Sequence, residues 1–241
     1  MTGRWLEEAV AACRLPPPST FPRNLADEVH LSLSVVLERV THLTSDDVRS
    51  VLAQRWRYQA VADVDRPLHG CLAARAGSGI LFVDAEDDED EQRFTLAHEV
   101  AHFVLEHVMP RSRARRVFGD GIRPVLDCLR APTPEESLAF VLEGIPLGIQ
   151  IRLMDRDSSG AIQMGHVEEA EQRADRLALE LLAPAPLALK VLKGVPRGLA
   201  GTRVASRFGL PVEVARTYVR MLLGGVKPPR FSIQDLLGEV R

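Results

Sequence analysis

Residues 94–108 read FTLAHEVAHFVLEHV, and within this apolar run His98, Glu99 and His102 form an HExxH pattern. On an α-helix, positions four apart are turned by about 40° and lie about 6 Å apart along the axis. Both histidine rings can therefore direct a nitrogen at one ion. The alternative is an ordinary core helix, but burying two histidines and a glutamate needs compensating partners. The pattern therefore predicts a metal-binding helix.

Glu99 follows His98 directly, so its carboxylate can reach a water beside the ion rather than the ion itself, which suits a general base. A catalytic zinc usually takes three protein ligands, so a third must come from elsewhere in the chain. His107 does not fit, because it lies about 140° around the helix from His102. Val108 stands where the extended metzincin pattern has its third histidine.

A second amphipathic helix is predicted over residues 167–182, which read VEEAEQRADRLALELL. Glu171 and Asp175 border its apolar stripe and are again four residues apart. Glu171 can complete the ligand set while Asp175 accepts a hydrogen bond from a ligand histidine. Glu168 is the rival ligand, and Glu171 is preferred because it alone has a carboxylate one turn on. The alternative is that the Glu and Asp residues along this helix are exposed to solvent and bind no metal.

The segments FTLAHEVAH and EQRADRLALELLAP resemble the ImmA/IrrE metallopeptidases. The second motif of that family has a ligand Glu, an Asn or Asp four residues later, and an apolar stretch closing on Leu-Leu-x-Pro. Those positions are Glu171, Asp175 and residues 181–184 here. The resemblance covers residues 68–108 and 167–224, about four tenths of the chain.

The chain departs from this family in one respect, because 68 residues separate His102 from Glu171. We therefore interpret residues 109–166 as an insertion. Thr133, Pro134 and Glu136 predict a capped helix within it, closed by Gly144. The alternation over residues 149–154 and the turn that follows predict a hairpin returning at Ala161 to Gly165. This hairpin either overhangs the cleft and restricts entry, or serves packing alone.

The resemblance implies an α+β, zincin-like fold with a small sheet, the HExxH helix, a second ligand helix and a C-terminal helix-turn-helix-like subdomain. It implies a zinc-dependent endopeptidase that cleaves a helix-turn-helix repressor and so releases stress-response or mobile-element genes. Zn²⁺ is expected on His98, His102 and Glu171, with Mn²⁺ as the alternative metal. Glu99 is expected to act as general base and then proton donor, with Asp175 behind a ligand histidine.

Two other classes of function stay open from the residues alone. The chain could be a non-catalytic metal-binding regulator that binds a repressor or toxin partner, although Glu99 argues against that. It could also contact DNA through residues 199–224, where two helical patterns flank Phe208 to Pro211 at helix-turn-helix spacing. The second of those helices offers only Arg216 and Arg220 as long basic side chains, so a structural or substrate-docking role is preferred.

The amino-acid composition narrows the class of protein further. Of the 241 residues, 46% are hydrophobic and 26% charged, as in a soluble globular protein, and the net charge of -3 argues against bulk phosphate binding. Cys13, Cys71 and Cys128 are too scattered for a disulfide framework or a structural zinc site. The first residues lack a secretory pattern and no run reaches the length of a membrane span. We expect a cytoplasmic protein with no membrane partner.

The predicted organisation is an N-terminal segment with a proline-rich linker over residues 1–20, a metallopeptidase domain over 21–194 and a helical subdomain over 195–241. Residues 24–40 are helix-compatible, and a helix is predicted from Thr44 to about Arg55.

A hairpin over residues 70–83 is predicted to feed the HExxH helix. In gluzincins a strand placed in this way often pairs with an extended substrate.

Two charged runs have ordinary structural explanations. The acidic run over residues 84–91 is predicted to offset the helix dipole and cap the HExxH helix. Arginines at 111, 113, 115 and 116 are predicted to follow that helix at its negative end. A further donor to the developing oxyanion cannot be chosen from the sequence, and the candidates are His69, His166, Tyr58 and Tyr218.

Overall fold

A computed structural model describes residues 3–59, 64–155 and 165–224. The fold is α+β. Its sheet is built on the hairpin predicted around Gly77, a residue whose positive φ suits the tight turn. The strands are β1 (Val35–Val40), β2 (Leu68–Arg75), β3 (Ser78–Asp84) and β4 (Gln150–Asp155), in the order β1-β3-β2-β4. β1 runs parallel to β3, whereas β2 is antiparallel to both β3 and β4.

Helices cover both faces of this sheet. They are α1 (Arg4–Cys13), α2 (Leu25–Ser32), α3 (Ser45–Trp56), α4 (Glu89–His102), α5 (Met109–Phe118), α6 (Arg123–Leu126), α7 (Pro134–Glu143), α8 (Gly165–Leu182), α9 (Ala185–Val191), α10 (Arg197–Phe208) and α11 (Val212–Gly224). Within the described residues, none of them combines the length and apolar composition needed to cross a bilayer.

Two apolar clusters hold the layers together. The larger one joins one face of β2 and β3, through Leu72 and Leu81, to α1, α2, α4 and α8. The smaller one lies on the opposite face, where Cys71 and Phe82 meet Leu52 of α3. Alternate residues of β2 thus enter different clusters, as the period-two geometry of a strand requires. α4 is therefore held between the sheet and α8.

The prediction for residues 24–40 was wrong in its second half. α2 ends at Ser32, and Val35–Val40 form a strand whose Val35 pairs with Gly79 of β3. Three valines in six residues suit a pleated surface. A parallel strand is stabilised by a distant partner, which the local pattern does not reveal.

The predicted helix after Thr44 is confirmed, with a capping box between Thr44 and Asp47 at the start of α3. The capping pair predicted at Thr133 and Glu136 is confirmed as well. The Glu136 amide donates to Thr133 Oγ1, and the Thr133 amide donates to the Glu136 carboxylate. Gly144 follows α7 with φ +61°.

The first strand of the predicted insertion hairpin is β4, which extends the sheet beside β2. Its predicted return at Ala161 to Gly165 lies outside the described residues, except that Gly165 begins α8. β2 is paired with β3 and β4, and β3 is paired with β1 and β2. Neither strand of the hairpin at 70–83 is therefore free to pair with an extended substrate, as the resemblance had implied.

The structural roles of the two charged runs differ in part from those predicted from the sequence. Glu89, Asp90 and Glu91 lie in the first turn of α4, where acidic groups offset the helix dipole. The side chain of Asp88, the N-cap, makes no capping bond, and Asp84 accepts instead from backbone amides at 42, 43 and 86.

The arginines do not follow the end of the HExxH helix. The chain continues from α4 through a π-helical turn, Phe103–Val108, into α5, which carries them.

α10 and α11 are joined through Gly209, whose φ of +64° ends α10 in the left-handed region. Phe208 and Tyr218 from this pair enter the same large cluster as α4 and α8. The helix pair matches the predicted position, while its assignment to a separate subdomain over 195–241 stays a prediction.

Candidate metal centre

The histidines and the glutamate of the HExxH pattern lie in the second half of α4, which is otherwise mostly apolar and buried. Every residue from Phe94 to His102 is buried, and the exposed fractions of His98, Glu99 and His102 are 5%, 1% and 2%. Phe94, Ala97 and Ala101 anchor the helix in the large cluster. The three polar side chains are therefore held by packing.

α8 crosses α4 and brings Glu171 to the two histidines. His98 Nε2 and His102 Nε2 are 3.0 Å apart, and Glu171 Oε2 lies 3.2 Å from the first and 3.3 Å from the second. These atoms form a group able to hold a metal ion. Tetrahedral zinc with ligand bonds of about 2.0–2.1 Å places neighbouring ligand atoms about 3.3 Å apart, so the observed triangle has a suitable size.

Each histidine has a carboxylate behind its ring. His98 Nδ1 lies 2.9 Å from Asp175 Oδ1, and His102 Nδ1 lies 2.8 Å from Glu106 Oε1. An Nδ1–H group donating to a carboxylate fixes the tautomer and leaves the Nε2 lone pair for a ligand. Both Nε2 atoms face Glu171.

The charges around the two rings favour a cation between them. Burial alone would lower the histidine pKa values. The Asp175 and Glu171 carboxylates nevertheless raise the pKa of His98 to about 10, while Glu106 and Glu171 raise that of His102 to about 9. His102 and His98 in turn hold the pKa of Glu171 well below its usual range. A group of carboxylates that attracts protons this strongly also suits a divalent ion.

Glu99 lies beside this group in a different environment. Its Oε2 atom is buried and has no hydrogen-bond partner among the described residues. Burial raises the pKa of this carboxyl to about 7, although His98 and His102 oppose the shift. A carboxyl with this pKa and an unused oxygen is suited to accepting and returning a proton near neutral pH.

The sheet contributes a close approach at Gly70 of β2. A Cβ atom at this position would lie 2.4 Å from Thr95 Cγ2 and 3.2 Å from Glu99 Oε1. Only glycine lets the strand pass so near α4. The strand therefore forms one wall of the space around Glu99.

The donor set fits a divalent metal ion. Two neutral imidazoles and one carboxylate are the ligands of the catalytic zinc in several hydrolases. The carboxylates behind the rings and the unpaired oxygen of Glu99 match the supporting groups such a centre needs. The residues present would therefore hold a metal ion.

Comparison with protein families matches residues 47–120 to the IrrE N-terminal-like domain of the M78 peptidases. Over these residues the chain is similar to the ImmA/IrrE metallopeptidases, which supports the resemblance seen in the sequence. The matched region includes His98, Glu99 and His102 and ends before Glu171, which only the packing of α8 on α4 brings to the site. No match was found among curated proteins. This match indicates a metallopeptidase in general terms.

The other residues that the sequence offered as candidates for the site lie elsewhere. His107 Nε2 accepts from the Gly77 amide, so it does not point at the triangle. Tyr218 is buried and donates to the Ala183 carbonyl, and Tyr58 packs beside the smaller cluster. His69 Nδ1 lies 2.7 Å from Asp87. The side chains of Glu168 and His166 are outside the described residues.

Two residues near the triangle were missed by sequence reasoning. Glu106 contacts His102, and Arg152 Nε donates to Glu106 Oε2 at 2.8 Å. Glu106 was detectable, because it lies four residues after His102 and so obeys the rule that pointed to Asp175. Arg152 had no local signal, because its position depends on the pairing of β4 with β2.

Proposed function

We propose that this chain is a zinc-dependent endopeptidase that performs limited proteolysis of a regulatory protein. The observation that carries this proposal is the triangle of His98, His102 and Glu171 with the unpaired Glu99 oxygen beside it. A binding module has no need of a carboxyl with a raised pKa next to a ligand triangle. Zinc is preferred over manganese because two imidazoles and one carboxylate are its usual catalytic ligands.

The proposed roles follow from the position of each group. His98, His102 and Glu171 would hold Zn²⁺, and Asp175 would keep the His98 ring in the ligating tautomer. When bound, the ion supplies Lewis-acid chemistry, polarising the scissile carbonyl and lowering the pKa of the attacking water. Glu99 takes the proton from that water and returns it to the leaving amine, which restores the carboxylate for the next turnover.

β4 is the proposed edge for an extended substrate. Among the described residues it pairs with β2 alone, so its other side offers backbone groups to a peptide. Arg152 extends from β4 toward Glu106, so this strand runs beside the triangle. A peptide added to such an edge would be bound mainly through its backbone.

The proposed substrate is a helix-turn-helix repressor in a stress-response or mobile-element circuit. The resemblance to the ImmA/IrrE metallopeptidases supports this choice, and the pairing of an extended linker along β4 is compatible with it. The proposed setting is the cytoplasm. Three free cysteines, Cys13, Cys71 and Cys128, support a reducing compartment.

The test compares new protein N-termini in cells of the native host that express the wild-type chain or Glu99→Gln, before and after stress. Glu99→Gln keeps the shape of the side chain but cannot accept the proton, so a terminus produced by this enzyme should disappear. Glu89→Gln is the matched control, because Glu89 is in the same helix with its side chain 94% exposed.

A terminus that requires Glu99 but not Glu89 would identify the substrate or a protein directly downstream of it. If no terminus depends on Glu99 while both variants are folded and metal-loaded, the endopeptidase proposal fails. A non-catalytic regulator that captures a repressor or toxin would then replace it. DNA contact is not favoured, since Arg216 pairs with Glu213 and Arg220 donates to Thr217 on α11.

A further inference from the structure

Glu106 connects the metal centre to the edge of the sheet. One of its oxygens lies 2.8 Å from His102 Nδ1, and the other accepts from Arg152 Nε, also at 2.8 Å. Each oxygen therefore has its own partner, and the carboxylate is held at both ends. The result is a continuous chain of contacts from β4 to a ligand ring of the triangle.

The local backbone explains how Glu106 reaches His102. The π-helical turn begins at Phe103, directly after His102. Turns of this kind are frequent at functional sites. Glu106 stays beside His102 across this turn, and its side chain is 23% exposed.

Arg152 reaches Glu106 from β4, at the edge of the sheet. It pairs in register with Leu72 of β2, so its side chain faces the same side of the sheet as Leu72, toward the helix layer that contains α4. Its side chain is 41% exposed. A surface ion pair of this kind contributes little to folding stability, about 0–1 kcal/mol. Its effect on the orientation of Glu106 can nevertheless be larger than its effect on stability.

We propose that Glu106 and Arg152 are positioning residues of the metal centre, with Arg152 acting on the His102 ring through Glu106. This inference rests on the proposed metal-binding function of His98, His102 and Glu171. It assigns a role to β4, which lies in the predicted insertion. The affinity of the centre for its ion would then depend on whether β4 is in place.

The test measures Zn²⁺ affinity of the full chain by competition with a chromophoric chelator. Glu106→Gln should weaken Zn²⁺ binding by about tenfold to a hundredfold, the usual effect of removing a group that orients a ligand. Arg152→Gln should weaken it less, by about threefold to tenfold, because Glu106 remains. The double variant should bind within about twofold of Glu106→Gln, because Arg152 has nothing left to orient.

Arg55→Gln is the matched control. Arg55 pairs with Glu38 at the opposite edge of the sheet, and the side-chain exposures of 43% and 27% are close to those of Arg152 and Glu106. It should leave Zn²⁺ affinity unchanged. Substituting Co²⁺ gives a second measurement, since its visible absorption bands should shift in Arg152→Gln and return toward the wild-type position in Arg152→Lys.

Three outcomes separate the possibilities. If Arg152→Gln binds Zn²⁺ like Arg55→Gln and leaves the Co²⁺ bands unchanged, the positioning role is wrong. Full additivity in the double variant would also overturn the inference, because Arg152 would then act independently of Glu106. A wild-type chain that fails to bind Zn²⁺ would instead contradict the proposed metal-binding function.

Discussion

The two histidines of the triangle contact carboxylates from different parts of the chain. His102 contacts Glu106, one turn away on the same stretch of chain, whereas His98 contacts Asp175 from α8. The first contact needs only local helical structure. The second needs α8 docked on α4, so the centre is complete only after tertiary packing.

Replacing Asp175 tests this dependence at the scale of one residue. Asp175→Ala removes the acceptor for His98 Nδ1, and Zn²⁺ binding should weaken by about tenfold to a hundredfold. Chelator competition measures the change. The control is Glu169→Ala on the same helix, whose exposed side chain lies outside the triangle. Equal affinities in the two variants would show that Asp175 does not orient His98.

Tyr218 should affect folding stability and leave metal binding alone. Its hydroxyl is fully buried and donates to the Ala183 carbonyl at 2.7 Å. Tyr218→Phe leaves that carbonyl unpaired, so the free energy of unfolding should fall by about 1–2 kcal/mol. Urea denaturation measures the loss. A weaker Zn²⁺ affinity in a folded Tyr218→Phe protein would contradict this assignment and revive Tyr218 as a residue of the centre.

At the scale of elements, the contact between β2 and α4 controls the position of Glu99. The two elements approach closely where Gly70 faces Thr95, and Thr95 is a stiff, buried β-branched side chain. Any side chain at residue 70 must push the helix or the strand away. The general base of the proposed mechanism lies within this contact.

Gly70→Ala should therefore reduce both stability and catalysis. Overpacking of this kind costs about 1–3 kcal/mol, and displacing Glu99 should slow peptide cleavage beyond what the loss of folded protein explains. Gly198→Ala on α10 is the control, because nothing lies within 4 Å of its added Cβ, so it should be neutral or slightly stabilising. Urea midpoints that are equal in the two variants would contradict the predicted clash.

At the scale of the whole molecule, the triangle of His98, His102 and Glu171 connects two long helices. α4 contributes His98 and His102 while α8 contributes Glu171, so a bound ion would hold together two elements that are far apart in the chain. An ion that binds only the folded protein stabilises it by an amount set by its concentration relative to its dissociation constant.

Removing the metal should therefore lower the thermal midpoint. With free Zn²⁺ at a hundred times its dissociation constant, the stabilisation is about 2.7 kcal/mol. For a chain of this size that corresponds to a midpoint shift of roughly 5–10 °C. Thermal unfolding with and without a chelator measures the shift, and Glu171→Gln should show a much smaller one. If the chelator shifts both proteins equally, the stabilising ion binds elsewhere.

Prediction from sequence succeeded where the relevant interactions are local. The capping boxes at Thr44 and Thr133 and the turn at Gly77 depend on residues within a few positions of one another. Glu106 was equally local and was overlooked. β1 could not be recognised from its own residues, because its pairing with β3 involves residues more than forty positions away.

The sequence by itself determined which residues are candidates for the metal centre. The spacing of His98, Glu99 and His102 on one helix, and of Glu171 and Asp175 on another, follows from helical periodicity alone. Only the tertiary structure decided the geometry that makes these groups one centre. The docking of α8 on α4 brings Glu171 to the histidines, and the pairing of β4 with β2 brings Arg152 to Glu106. Such contacts depend on packing between distant segments, which no local periodicity encodes.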